Sequence, residues 1–126
     1  MENSNINLSQ NLKQFCGSEV VYTLPLFNYK YTEGVHYLAE KAACYWMLID
    51  IGAVVRRLRS KHGFIVVLFK RYNEAEQQRT QHEAVISYGD GNGIILFEQQ
   101  YAITDFLLDE LRLFFVDDTL MLPNEY

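Results

Sequence analysis

The longest apolar stretch of the chain covers residues 42–55 and contains one charged residue, Asp50. Its apolar positions recur on nearly every side of a helix, which predicts a helix that is buried on more than one face. Thr32 is suited to cap this helix, and Gly63 follows the basic residues of its last turn. We therefore predict one long helix between Thr32 and Gly63.

After Gly63 the hydrophobic period changes from helical to extended, with short apolar runs between turn signals. A glycine-rich turn at 89–93 suits one hairpin, and the Asp117-Asp118 pair suits a second tight turn. The polar segment 73–81 predicts a loop. The predicted strands cover 64–72, 83–88, 94–99, 111–116 and 119–122.

The sequence of residues 1–31 predicts a short helix and two extended segments. Asn7 or Ser9 can cap the helix, and Gly17 can end it in a left-handed conformation. The β-branched and aromatic residues of 20–24 predict a strand, and the aromatic alternation over 27–31 predicts another extended piece.

Together these elements predict an α+β fold in a single domain, residues 1–126. The long helix lies on one face of an antiparallel meander of about four to six strands, and the short N-terminal helix is added to it. The N-terminus lacks a secretory signal, and no apolar stretch reaches the roughly 18 residues of a membrane span, so we expect a cytoplasmic protein. The helix positions predicted to face the sheet are Val35, Leu38, Ala39, Ala42, Tyr45, Trp46, Ile49 and Ala53.

The opposite stripe of the predicted helix is too apolar at its centre to face solvent. It contains His36, Glu40, Ala43, Met47, Asp50, Val54 and Arg57. One sheet covers only one face of a helix, so this stripe must meet the chain ends, a second copy or a ligand. We expect a non-catalytic interaction or regulatory module that acts as a homodimer, with an unidentified protein as a further candidate partner.

Asp50 is the candidate for acid chemistry or ligand binding, because no side chain one helical turn away can pair with its carboxylate. These neighbours are Trp46, Met47, Ala53 and Val54. A buried carboxylate without a partner either has a raised pKa, as general acids do, or finds a distant hydrogen-bond donor. The alternative function is a small-molecule binding protein or enzyme with a pocket around Asp50, and Tyr45 and Trp46 are its other candidate ligand contacts.

Motifs that identify enzymes and metal sites are missing from the sequence. It has no GxSxG, no HExxH and no glycine-rich phosphate loop. His36 and Glu40 are one turn apart without a second histidine pair, which indicates a solvated ion pair. Cys16 and Cys44 have no CxxC spacing, so we expect no disulfide, metal or cofactor and interpret Cys44 as a small buried thiol.

Charge is distributed unevenly along the chain. The net charge of −5 combines +3 over residues 1–82 with −8 over residues 83–126. The basic segment 56–71 suggests nucleic-acid binding as a second alternative function. Cations at a helix C-terminus explain its first members equally well, and the acidic last third argues against this function. The candidate phosphate contacts are Arg56, Arg59 and Lys70.

Several segments resemble an uncharacterised family of small bacterial proteins. They are Thr-Glu-Gly-Val at 32–35, Tyr-Leu-Ala-Glu at 37–40, Tyr-Trp at 45–46, Leu-Ile-Asp at 48–50, Asp-Gly-Asn-Gly at 90–93, Thr-Asp-Phe at 104–106 and Leu-Pro-Asn-Glu-Tyr at 122–126. Leu107 and Asn124 depart from the family pattern, which has proline and serine there. The resemblance spans most of the chain. It implies a shared fold and a bacterial cytoplasmic setting, and it assigns no catalytic residue.

Overall fold

The computed structural model describes residues 8–15, 21–24 and 27–126. The strands are β1 Val21–Leu24, β2 Tyr29–Thr32, β3 Phe64–Arg71, β4 Ala84–Gly89, β5 Ile95–Tyr101, β6 Glu110–Val116 and β7 Thr119–Met121. They form one sheet in the order β1-β2-β7-β6-β3-β4-β5. The pair β2 and β7 is parallel, and the other neighbouring pairs are antiparallel.

The helices are α1 at 8–12, α2 Glu33–Lys41, α3 Tyr45–Leu58 and α4 Glu74–Thr80, and a 3₁₀ turn covers Pro123–Glu125. Within the described ranges, none of these helices combines the length and the apolar character needed to cross a membrane. Asn7, Cys16, Gly17 and the first residue of the strand predicted over 20–24 lie outside the described residues.

The predicted α+β class is confirmed, but the sheet differs from the prediction. It has seven strands instead of four to six, and it is mixed instead of purely antiparallel. The difference arises because the β1–β2 hairpin joins the sheet through β7, where Lys30 pairs with Thr119. Hydrophobic periodicity identifies strands, but it does not reveal which distant strands become neighbours.

The prediction of one long helix is wrong, because the chain forms two helices. Thr32 caps the first as predicted, with its hydroxyl oxygen accepting a hydrogen bond from the Val35 backbone N–H. The helix then stops at Lys41, and Ala43 has a left-handed φ of 51°. Three non-helical residues therefore separate α2 from α3.

This break changes which side of the second helix faces the sheet. Val35, Leu38 and Ala39 of α2 are buried as predicted. In α3, Tyr45 and Ile49 are exposed although they were predicted to face the sheet, whereas Met47 and Val54 are buried within the chain. The centre of the apolar stripe, for which we predicted cover by the chain ends, a second copy or a ligand, is therefore covered by the chain itself at Met47 and Val54.

The polar segment predicted as a loop contains helix α4. The Asn73 side chain accepts a hydrogen bond from the Glu76 backbone N–H, and the Glu76 side chain accepts one from the Asn73 backbone N–H. This reciprocal pair is a capping box, which satisfies N–H groups at a helix start. An Asn followed three residues later by Glu was the sequence signal for this helix.

The hydrophobic core lies between one face of the sheet and helices α2 and α3. Within this core, Tyr29 of β2 connects the sheet to α3, because its hydroxyl donates a hydrogen bond to the backbone oxygen of Leu48 at 2.6 Å. The sheet contributes alternate residues of its strands to this core. From the central strands these are Ile65, Val67, Phe69, Ile86, Tyr88, Leu113, Phe115 and Leu120.

Candidate functional site

The other face of the sheet carries apolar side chains that α2 and α3 do not cover. Because side chains alternate along a strand, the residues between the core positions of β3 and β6 point away from those helices. These side chains are only partly buried among the described residues. We define the open face as Phe64, Val66, Leu68, Ile95, Phe114, Val116 and Met121.

The strand register joins these side chains into one continuous surface. Val66 of β3 is opposite Phe114 of β6, and Phe114 is opposite Met121 of β7. The rings of Phe64 and Phe114 have centroids 5.1 Å apart. Tyr126 contacts both rings, at 5.4 and 5.6 Å, and is itself 70% exposed. The apolar surface therefore extends across at least three strands.

A shallow cleft of about 230 Å³ opens on this face beside the β4–β5 hairpin. Val66 and Leu68 form part of its floor, and Ile94 and Ile95 lie at its edge with 60% and 57% of their surfaces exposed. Gly91 has a φ of 85°, as the predicted hairpin turn requires, and lies against the ring of Phe64. The hairpin thus extends the apolar surface instead of closing it.

Two opposite charges lie at the ends of one row across the open face. The row consists of Glu98 in β5, Ser87 in β4, Leu68 in β3 and Arg112 in β6. Three strand spacings separate the backbone positions of these two residues by roughly 14 Å. In the part of the chain that the structure describes, neither of them forms an ion pair.

Sequence reasoning missed the open face, although β3 carried a signal for it. From Phe64 to Phe69 every residue of this strand is apolar. Such a run is typical of strands that are buried on both faces, whereas a strand with one solvated face alternates apolar and polar residues. We identified the run as a strand but assigned only one covered face to the sheet.

Asp50 accepts a hydrogen bond from a residue of β5, the strand at one edge of the sheet. The Tyr101 hydroxyl of β5 donates to Asp50 Oδ2 at 2.9 Å. Burial raises the pKa of Tyr101, and the hydrogen bond and the charge of Asp50 raise it further. The carboxylate is therefore partnered across the fold, by a residue that helical spacing could not identify.

A cleft lies beside this hydrogen bond, and we call it the Trp46 cleft. Its volume is about 350 Å³. The rings of Trp46 and Tyr101 meet edge to face, with centroids 5.6 Å apart. Of the three predicted ligand contacts, Trp46 lines this cleft, and Asp50 lies behind Tyr101 as its hydrogen-bond acceptor. The cleft is lined by Trp46, Tyr101, Ile103, Thr104 and Asp105.

Tyr45, the third ligand-binding candidate, belongs to a different cluster. Its hydroxyl donates to Glu40 Oε1 at 2.9 Å and lies 3.3 Å from His36 Nδ1. The His36 ring stacks on Tyr22 with a centroid distance of 3.9 Å. Partial desolvation of the hydroxyl, the hydrogen bond to Glu40 and the charge of Glu40 raise the pKa of Tyr45 to about 12, although the side chain as a whole is exposed. Among the described residues, no group of three His, Cys, Asp or Glu side chains is arranged to hold a metal ion.

The three candidate nucleic-acid contacts do not form one basic surface. Arg56 is exposed near the end of α3, and Arg59 forms an ion pair with Asp118 at 3.4 Å. Lys70 lies on the open-face side of β3, opposite the side that packs against α3, and pairs with Glu76 at 3.0 Å. The sheet therefore separates Lys70 from the two arginines.

The fold and these surfaces define a small α+β protein with a mixed sheet that carries two helices on one face and an apolar surface on the other. The chain belongs to DUF6876, a family of unknown function, whose family model matches residues 6–126. The resemblance to an uncharacterised family is thereby confirmed. Comparisons with curated proteins and with solved structures found no match.

Proposed function

We propose that this protein is a non-catalytic interaction module that forms a homodimer through the open face. The observation that carries the proposal is the continuous apolar surface centred on Val66 and Phe114. Large contiguous apolar patches are uncommon on soluble monomers and typically mark interaction surfaces. A strand that is apolar on both sides also favours a sheet with a second covering layer.

A second copy fits this surface because its unpaired charges are self-complementary. We place a two-fold axis parallel to the strands, between β3 and β4. This axis exchanges the positions of Glu98 and Arg112, the two ends of the row Glu98, Ser87, Leu68 and Arg112. Each Glu98 then meets Arg112 of the second copy, and Leu68 meets Ser87. Such reciprocal contacts are the defining property of an interface between two identical subunits.

This arrangement leaves the helical side of each subunit free. Helices α2 and α3 pack on the opposite face of the sheet, so they remain on the outside of the dimer. The Trp46 cleft, which involves α3 and the helix-facing residue Tyr101, stays accessible. A dimer of this kind presents two copies of the same outer surface to further partners.

Replacing Val66 with glutamate is expected to weaken the dimer about a hundredfold, because an unpaired carboxylate would be buried at the centre of the interface. Light scattering of the purified protein over a concentration series measures the change in mass. The matched control is Ile49→Glu, which places the same charge on the exposed side of α3, 42% exposed in the native chain. Circular dichroism checks that both variants keep their secondary structure.

A native protein that stays monomeric at every concentration would overturn the proposal. It would also be overturned if Ile49→Glu dissociated the dimer and Val66→Glu did not. The interface would then lie on the helical side, as the apolar stripe of the predicted long helix indicates.

A charge swap tests the orientation of the two subunits. Glu98→Arg and Arg112→Glu are each expected to weaken the dimer severalfold, because each places like charges together. The double variant is expected to restore most of the affinity, since it re-forms the pair with its signs exchanged. If Val66→Glu dissociates the dimer and the double variant restores nothing, the open face is the interface but the two-fold axis lies elsewhere.

A further inference from the structure

We propose that the Trp46 cleft binds a small organic cation, an ammonium group attached to an apolar body. This site lies on the helical side of the sheet and is independent of the proposed dimer. Its volume, about 350 Å³, falls at the lower end of the range typical of small-molecule sites.

The walls of the cleft suit the apolar body and the charge of such a ligand. Trp46 and Tyr101 line it with two aromatic side chains that meet edge to face, and Ile103, another lining residue, has 81% of its surface exposed. A cation within about 6 Å of a tryptophan ring is attracted by the negative face of the ring, and tryptophan is the best aromatic side chain for this interaction.

The charges around the cleft select a cation over an anion. Asp105 lines it and, among the described residues, forms no ion pair. Asp50, behind Tyr101, uses Oδ2 to accept the Tyr101 hydrogen bond. No Lys or Arg belongs to the described lining of the cleft. An ammonium group would therefore find an available carboxylate without a competing cation.

The loop that supplies Thr104 and Asp105 is held in place by its own hydrogen bonds. The Thr104 backbone N–H donates to Glu83 Oε1 at 3.0 Å, and the Thr104 hydroxyl oxygen accepts from the Phe106 backbone N–H. Arg71 donates to the backbone oxygen of Phe106. Together with the hydrogen bond from Tyr101 to Asp50, these bonds hold the residues that line the cleft in position in the free protein. Such preorganisation lowers the entropy cost of binding a ligand.

Phenethylamine is a suitable probe, and 2-phenylethanol is its neutral counterpart of nearly the same shape. Trp46 is the only tryptophan of the chain, so its fluorescence reports on this cleft alone. We expect a saturable change with phenethylamine in the millimolar range or below, and affinity about fivefold lower for the alcohol. If phenethylamine does not saturate, or if the alcohol binds equally well, the proposal is wrong.

Asp105→Asn tests the carboxylate directly. We expect this variant to bind phenethylamine about fivefold more weakly while its affinity for 2-phenylethanol is unchanged. The matched control is Asp117→Asn, which makes the same charge change in the β6–β7 turn, outside the cleft lining. Equal losses in both variants would indicate a general effect of net charge and would overturn the assignment to the Trp46 cleft.

Discussion

Replacing Glu125 with alanine is expected to lower the free energy of unfolding by about 3 kcal/mol. This glutamate is buried next to the start of α2. Its Oε1 accepts hydrogen bonds from the Thr32 hydroxyl at 2.5 Å and the Leu122 backbone N–H at 3.0 Å, and its Oε2 accepts one from the Gly34 backbone N–H at 3.1 Å. Alanine would leave all three donors without this acceptor.

The position of this carboxylate adds to its effect. The N-terminus of a helix carries a partial positive charge, which stabilises an anion there. Gly34 makes the close approach possible, because a side-chain carbon at this residue would lie 2.6 Å from Glu125 Oε1. The carboxylate thus links the C-terminal turn to the first turn of α2, which are far apart in the sequence.

Urea denaturation followed by circular dichroism measures this loss. Glu125→Gln keeps one acceptor oxygen and is expected to lose less than the alanine variant. Glu110→Ala, at an exposed position of β6, serves as the control and is expected to change stability by no more than about 0.5 kcal/mol. Equal stability of Glu125→Ala and Glu110→Ala would show that the buried contacts contribute nothing.

Alkaline pH is expected to destabilise the protein steeply. Burial and, to a smaller extent, the negative charge of the nearby Asp105 raise the pKa of the Cys44 thiol to about 12. Burial also raises the pKa values of Tyr29 and Tyr88 well above the ordinary value of 10.0. In the unfolded chain these groups release their protons at their ordinary pKa values, whereas the folded chain holds them.

The sign of the effect follows from this difference. The stabilising contribution of each group is complete below its unfolded pKa and declines as the pH rises from that value towards the folded pKa. For Cys44 the decline begins near its ordinary value of 9.0, and for Tyr29 and Tyr88 near 10.0. Each group that is ionised only in the unfolded state lowers stability by about 1.4 kcal/mol per pH unit. These three groups are expected to contribute a slope of about 4 kcal/mol per pH unit at about pH 11, where all three are largely ionised in the unfolded chain. The raised pKa of Tyr101 adds to this slope.

Unfolding by urea at a series of pH values from about 8 to about 11 tests this expectation. Tyr29→Phe removes one of the buried hydroxyls and is expected to make the slope shallower by about 1.4 kcal/mol per pH unit. Tyr126→Phe, which alters an exposed ring, is expected to leave the slope unchanged. A stability that is flat up to about pH 11 would contradict the burial of these groups.

Part of the candidate site could be read from the sequence. Trp46 and Asp50 are one helical turn apart, so their proximity needed only the helical period. Tyr101 and Asp105 come from β5 and the loop after it, and no local pattern connects them with α3. The open face was likewise assembled by strand pairing, because Val66 and Phe114 become neighbours only when β3 and β6 align.

The sequence by itself determined where most of the described elements begin, end and turn. Thr32 caps α2, and the turns at Gly91 and at Asp117-Asp118 adopt the positive φ values that glycine and aspartate tolerate. These features depend on a residue and its nearest neighbours, so a local pattern is sufficient to predict them.

Only the tertiary structure decided the break at Ala43, the parallel pairing of β2 with β7, the hydrogen bond from Tyr101 to Asp50 and the burial of Glu125. A continuous helix was compatible with the local sequence, but α3 buries a different side from the one that a straight continuation of α2 would turn towards the sheet. Contacts between distant segments depend on the free energy of packing the whole chain, which neither periodicity nor residue propensity contains.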